Sequence, residues 1–108
     1  MGKLAFAMYK PKKGKEDELM HLLKDHLPTL KKYELITGKG SLFARSANGT
    51  FIEIFEWASE EAKNVAHQHP AIMKIWGKMM PMCDFPAMKD LPEAAKSFPN
   101  FELVENAP

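Results

Sequence analysis

Phe51-Ile52-Glu53-Ile54-Phe55-Glu56-Trp57 decides how this chain is read. Its period of two marks a β-strand. Odd positions carry Phe51, Phe55 and Trp57 around Glu53, and even positions carry Ile52 and Ile54. Both faces are apolar, so both expect cover. Just upstream, Asn48-Gly49 is a hairpin signal that pairs this strand with Ser41 to Ser46. Further upstream, Lys3 to Lys10 alternates in the same way. Leu4, Phe6 and Met8 share one face, and Ala5, Ala7 and Tyr9 share the other.

Between the first two strands, Leu19, Leu22, Leu23, His26, Leu27 and Leu30 recur at helical spacing behind Glu16, Asp17 and Glu18. Acid in a first turn suits the helix dipole. The pattern predicts an amphipathic helix to about Tyr33, bent at Pro28. Downstream of the third strand, Ser59 is an N-cap for a helix whose inner stripe is Ala62, Val65, Ala66 and His69. Pro70 stops that helix and starts a second, very apolar one through Ile72, Met73, Ile75, Trp76, Met79 and Met80. Residues 83–91 read as a last strand, which Pro86 confines to an edge.

The predicted order is β-α-β-β-α-β, with helices on one face of an antiparallel sheet. This is the ferredoxin-like α+β arrangement. Its helices cover one sheet face only. A second copy is the simplest cover for the other, since two-fold dimers dominate among oligomers. A C-terminal arm folded across it is the alternative. The whole chain, 1–108, reads as one domain, with a core over about 3–91 and an arm over 92–108.

Composition narrows the function classes. Fifteen basic residues against fourteen acidic give +1, so no global field recruits nucleic acid or a membrane surface. RNA-recognition modules share the element order but need an aromatic, basic sheet face, where this chain has Glu53 and Glu56. No apolar run approaches the ~18 residues of a membrane span. The lone cysteine, Cys83, excludes an internal disulfide and a cysteine-built zinc site. A reducing cytoplasm is the expected compartment.

The stretch from Arg45 to Cys83 carries a resemblance. A strand ends in Trp57, Ser59-Glu60-Glu61-Ala62 follows, then His67, Pro70 and an aromatic-rich helix. This pattern resembles the dimeric α+β barrel superfamily, and more narrowly the antibiotic biosynthesis monooxygenase-like proteins. The resemblance implies a homodimer whose sheets pack face to face, with a pocket in each subunit between sheet and helices. Some such proteins oxidise polyphenolic or quinone-precursor substrates with O₂ and neither metal nor flavin. Others degrade haem with a helix histidine. That position falls at Trp76 here, and the first-strand asparagine of that branch falls near Ala7 or Met8, so no haem and no other cofactor is expected. Trp57, Arg45 and Tyr9 match in kind the pocket groups of the polyphenol oxidisers.

Three residues are candidate catalytic groups. Arg45, the only arginine, is either an anion clamp or a hairpin ion-pair partner of Glu53 or Glu56. A two-residue loop places it with Glu56, and a one-residue bulge places it with Glu53. Glu53 lies between apolar neighbours and is either a general base or a charge satisfied by partners. His69, on the inner helical stripe, is either a base or a satisfied core residue. His67 and His69 point about 200° apart on one helix, so they could share an ion only if the helix ends at Gln68, and no second pair of ligands is evident, so no metal site is expected. Tyr9, His26, Trp57, His67 and Trp76 are the candidate walls of a pocket for an aromatic small molecule. Trp76 with Met73, Met79, Met80, Met82 and Met88 reads first as core filling, and a planar aromatic ligand would also suit it.

Overall fold

The computed structural model describes residues 2–104. Strand β1 (Lys3–Pro11) is followed by helix α1 (Glu16–Lys32), β2 (Leu42–Arg45), β3 (Phe51–Trp57), α2 (Glu60–Ala66), α3 (Pro70–Met79), β4 (Cys83–Asp84) and β5 (Glu102–Leu103). The five strands form one antiparallel sheet in the order β4-β1-β3-β2-β5. No helix among the described residues is long and apolar enough to cross a membrane.

Register assigns the faces. Tyr9 opposes Phe51, Ala7 opposes Glu53, Ala5 opposes Phe55, and Phe43 opposes Glu53 from the other side. These residues share one face, because directly paired residues project together. On it, Tyr9, Phe43 and Phe51 pack with Leu19 and Leu23 of α1 and Met79 of α3. Phe55 packs with Leu27 and Leu30, with Ala62 and Ala66 of α2, and with Ile72. All three helices therefore spend their apolar stripes on this face. Phe51 and Ile72 are fully buried, so replacing Phe51 with Asp should unfold the chain, as loss of the cooperative thermal transition would show.

The opposite face is covered over half its width. Leu91 seals Ala44 and Ile52, with Phe101 and Met8 packed alongside. The remainder is bare: Leu4 is 63% exposed, Phe6 42% and Leu42 55%. Phe6 and Leu42 both oppose Ile54, so they form one apolar row across three strands.

Three details differ from the sequence expectation. The last strand stops at Asp84, because Pro86 has no N–H to offer a ladder and the chain turns into a 3₁₀ segment at Met88–Asp90. The arm contributes a strand of its own, with Ala44 opposite Leu103 and Arg45 opposite Glu102. Its last residues, 105–108, lie outside the described residues. Finally, the hairpin loop is longer than two residues: Ser46 N–H donates to Thr50 O at 2.8 Å and Gly49 N–H to Ser46 O at 2.9 Å. Gly49 takes φ +90°, which favours glycine. This register puts Arg45 opposite Phe51, on the face of Glu53.

One carboxylate pins the arm to that hairpin. Glu93 is buried, accepting from Ser46 Oγ at 2.7 Å and from the Ala47 N–H at 2.9 Å. The Ser46 hydroxyl first, then the Ala47 amide, hold its carboxyl below the usual range. A lowered folded-state value means the contribution is full above the unfolded glutamate value and lost as pH falls through the folded one. The arm is therefore expected to stay docked at neutral pH and to loosen only below about pH 4. Limited proteolysis across that range checks it. Glu93→Gln should make the arm cleavable at pH 7 as well.

Candidate active site

Glu53 sits at the centre of the sheet and is wholly shielded from solvent. Three elements supply its surroundings. Tyr9 arrives from β1, two residues from Ala7 and on the same face. His26 arrives from the inner stripe of α1, one turn beyond Leu22 and Leu23. Trp76 arrives from α3 and reaches His26 rather than the sheet.

These four side chains form a continuous hydrogen-bonded chain. Tyr9 Oη donates to Glu53 Oε1 at 2.7 Å, and His26 Nδ1 lies 2.9 Å from the same oxygen. Trp76 Nε1 donates to His26 Nε2 at 2.8 Å. Indole N–H can only donate, so His26 Nε2 must accept. The His26 proton then sits on Nδ1 and points at the carboxylate. Oε1 thus takes two donors, while Oε2 is buried without a partner. Burial first, and then the adjacent Glu53 charge, push the Tyr9 phenol well above its ordinary value. Tyr9 is accordingly a phenol throughout the neutral range and deep into the alkaline.

A cavity of about 370 Å³ opens beside this chain, between the sheet and α3. That is within the ~300–1,000 Å³ of small-molecule pockets. Tyr9, His26, Trp57, His67 and Trp76 all line it. Phe55, Met79, Met80 and Phe85 complete an apolar wall. The ring centroids run Phe85 to Tyr9 at 5.9 Å, Tyr9 to His26 at 6.4 Å, His26 to Trp76 at 6.3 Å and Trp76 to His67 at 5.0 Å. No lysine, arginine, aspartate or glutamate side chain lines it among the described residues.

The other candidates lie elsewhere. His69, expected on the inner stripe of a helix, is outside both helices. Proline at α3's first turn drives the preceding residue out of helical geometry, and His69 takes φ −75°, ψ 123° as the N-cap. Its Nδ1 accepts from the Ala71 N–H at 3.2 Å, and its ring packs on Tyr33 at 4.1 Å, away from the cavity. Arg45 also stays out. Its partners are Glu16 at 3.3 Å and Glu102 at 4.0 Å, not Glu53 or Glu56, and its guanidinium lies over the Phe51 ring. Glu56 instead meets Thr37 and Lys39.

Helix α2 ends at Ala66, three residues short of the predicted stop, so His67 is its C-cap. No group of three or more potential metal ligands occurs among the described residues. Burial, then the neighbouring Asp84, push the Cys83 thiol up to about 11, which leaves it a poor nucleophile. Phe85 as a wall has no counterpart in the sequence reading, and Met79 and Met80 read there first as core and only second as a surface for an aromatic ligand. Phe85 follows a strand too short to leave a periodic signal.

Compared with family models, curated proteins and solved structures, the chain matches none of them.

Proposed function

We propose that this protein is a homodimeric α+β barrel of the antibiotic biosynthesis monooxygenase-like kind, oxidising a neutral aromatic small molecule with O₂ and no cofactor. The observation that carries the reading is the Tyr9–Glu53–His26–Trp76 chain set against an uncharged, aromatic-walled cavity. The strand order β4-β1-β3-β2 supports the ferredoxin-like assignment. The bare apolar patch of Leu4, Phe6 and Leu42 supports pairing with a second copy. A cavity left open beside His26, rather than filled by Trp76 and the methionines, favours catalysis over a purely structural role.

In this mechanism Glu53 is the base and Tyr9 the carrier. The substrate hydroxyl gives its proton to Tyr9 Oη as the Tyr9 proton passes to Glu53 Oε1. Proton arrival removes a buried negative charge that apolar surroundings disfavour. His26 keeps its proton on Nδ1 and holds the carboxylate in place, itself held by Trp76. The substrate anion, delocalised over its ring system, reduces O₂ directly. At an activated ring methylene, two C–H bonds are replaced by one C=O. One oxygen atom of O₂ enters that carbonyl and the other leaves as water, whose two hydrogens are the remaining C–H of that carbon and the proton that Glu53 returns through Tyr9; all four electrons come from the substrate. The protein contributes orientation and exclusion of water.

Oxygen uptake on an anthrone, in the presence of a strong chelator, tests this. Consumption of one O₂ per quinone formed is the expected result. Saturable binding with no uptake would replace the oxygenase with a carrier of the same ligand class.

A further inference from the structure

Two histidines line the cavity among the described residues, and of these His67, not His26, keeps a ring nitrogen uncommitted. His26 spends both, on Glu53 and on the Trp76 indole. His69 caps its own helix from outside the cavity. His67 Nδ1 lies 2.8 Å from Lys63 O. A carbonyl only accepts, so Nδ1 carries the proton and, in the neutral ring, Nε2 presents a lone pair. The ring is held on a second side by its edge-on packing against Trp76, 5.0 Å between centroids at 65°. Trp76 is in turn fixed by His26. The tautomer and the plane of His67 are thus both set before any ligand arrives, at the exposed end of the cavity wall.

A second side-chain acceptor in that wall is Tyr9 Oη, whose proton is given to Glu53 while its lone pairs remain. Tyr9 and His67 stand at opposite ends of the row Tyr9–His26–Trp76–His67. An anion entering between them meets lone pairs and no lining cation. A ligand bearing a hydroxyl at each end meets an acceptor at each end, with aromatic faces between.

We propose that His67 is a specificity-determining residue, accepting through Nε2 from a second hydroxyl of a neutral, fused-ring aromatic diol. This rests on the proposed aromatic pocket, and it adds the ligand's second donor and the residue that reads it. His67 is a binding group here, since the proton that starts the chemistry leaves through Tyr9.

Trp57 and Trp76 line the cavity, so tryptophan fluorescence reports occupancy directly. The probes are a dihydroxynaphthalene with hydroxyls on opposite rings, its mono- and dimethyl ethers, and the naphthoate anion. In the wild type, methylating one hydroxyl should weaken binding up to about tenfold, the value of one neutral hydrogen bond. The second methylation should cost a similar factor, and the naphthoate should bind weakest. In His67→Phe, which keeps a ring against Trp76 but offers no lone pair, the diol and its monomethyl ether should bind alike. His67→Gln restores an acceptor and should recover part of the difference. An unchanged diol-to-ether ratio in His67→Phe overturns the assignment while leaving the pocket standing. Diol, ethers and naphthoate all failing to quench would overturn the pocket reading itself.

Discussion

Glu53→Gln should lower the rate of anthrone oxidation by ~10²–10⁴-fold, the usual worth of a general base. Binding of the same ligand should change little, because Glu53 lies behind Tyr9 rather than in the cavity wall. The amide carbonyl can still accept from Tyr9 and His26, so the variant should fold. Glu53→Leu is a different experiment. It leaves the Tyr9 hydroxyl and the His26 Nδ1–H buried and unpartnered, at about 1–3 kcal/mol each. Denaturant melts should show that loss, and Tyr9→Phe added to Glu53→Leu should return part of it, since one orphaned donor is then removed. Wild-type rates in Glu53→Gln would show that the proton leaves by another route.

Charging the bare half of the sheet is the second large effect. Leu42→Glu, or Phe6→Glu, places a carboxylate in the row that Ile54 bridges. In a two-fold dimer built on this face, each substitution appears twice in one buried interface. Sedimentation at micromolar concentration should fall from twice the chain mass to one, with helix content by circular dichroism preserved. Both residues are already largely exposed in the single chain, so unfolding is not expected. A wild-type protein sedimenting as a monomer removes the dimer argument.

The contrast between Glu53 and His69 shows what the sequence could carry. Glu53 was legible because the period of two fixes a face, and a carboxylate among apolar neighbours needs partners wherever the register falls. Tyr9 and His26 were legible as inward-facing from the same periodicities. Their meeting at one carboxylate oxygen depends on how α1 lies across the sheet, which no local pattern encodes. His69 was misplaced because helical periodicity was extended through the residue before a proline, where backbone sterics end it. Arg45 turned on the hairpin loop, where a change of one residue moves a side chain to the other face. The arm was readable as an extended segment, but its strand pairing with β2 was not. Glu102-Leu103 is too short for any periodic signal.

That pairing has a consequence for how the molecule behaves in concentrated solution. A strand left at the rim of a sheet offers its unpaired amides and carbonyls to any other chain. β5 occupies the rim of β2, and Val104 N–H donates to Phe43 O at 2.8 Å just beyond it. A chain cut after Pro86 would retain the Tyr9–Glu53–His26–Trp76 hydrogen bonds and every residue of the cavity wall, yet present β2 as an open template next to Ala44 and Ile52, now stripped of Leu91. Such a truncation should add strands edge to edge and grow into thioflavin-positive aggregates at a rate that rises with concentration. The intact chain should remain in solution.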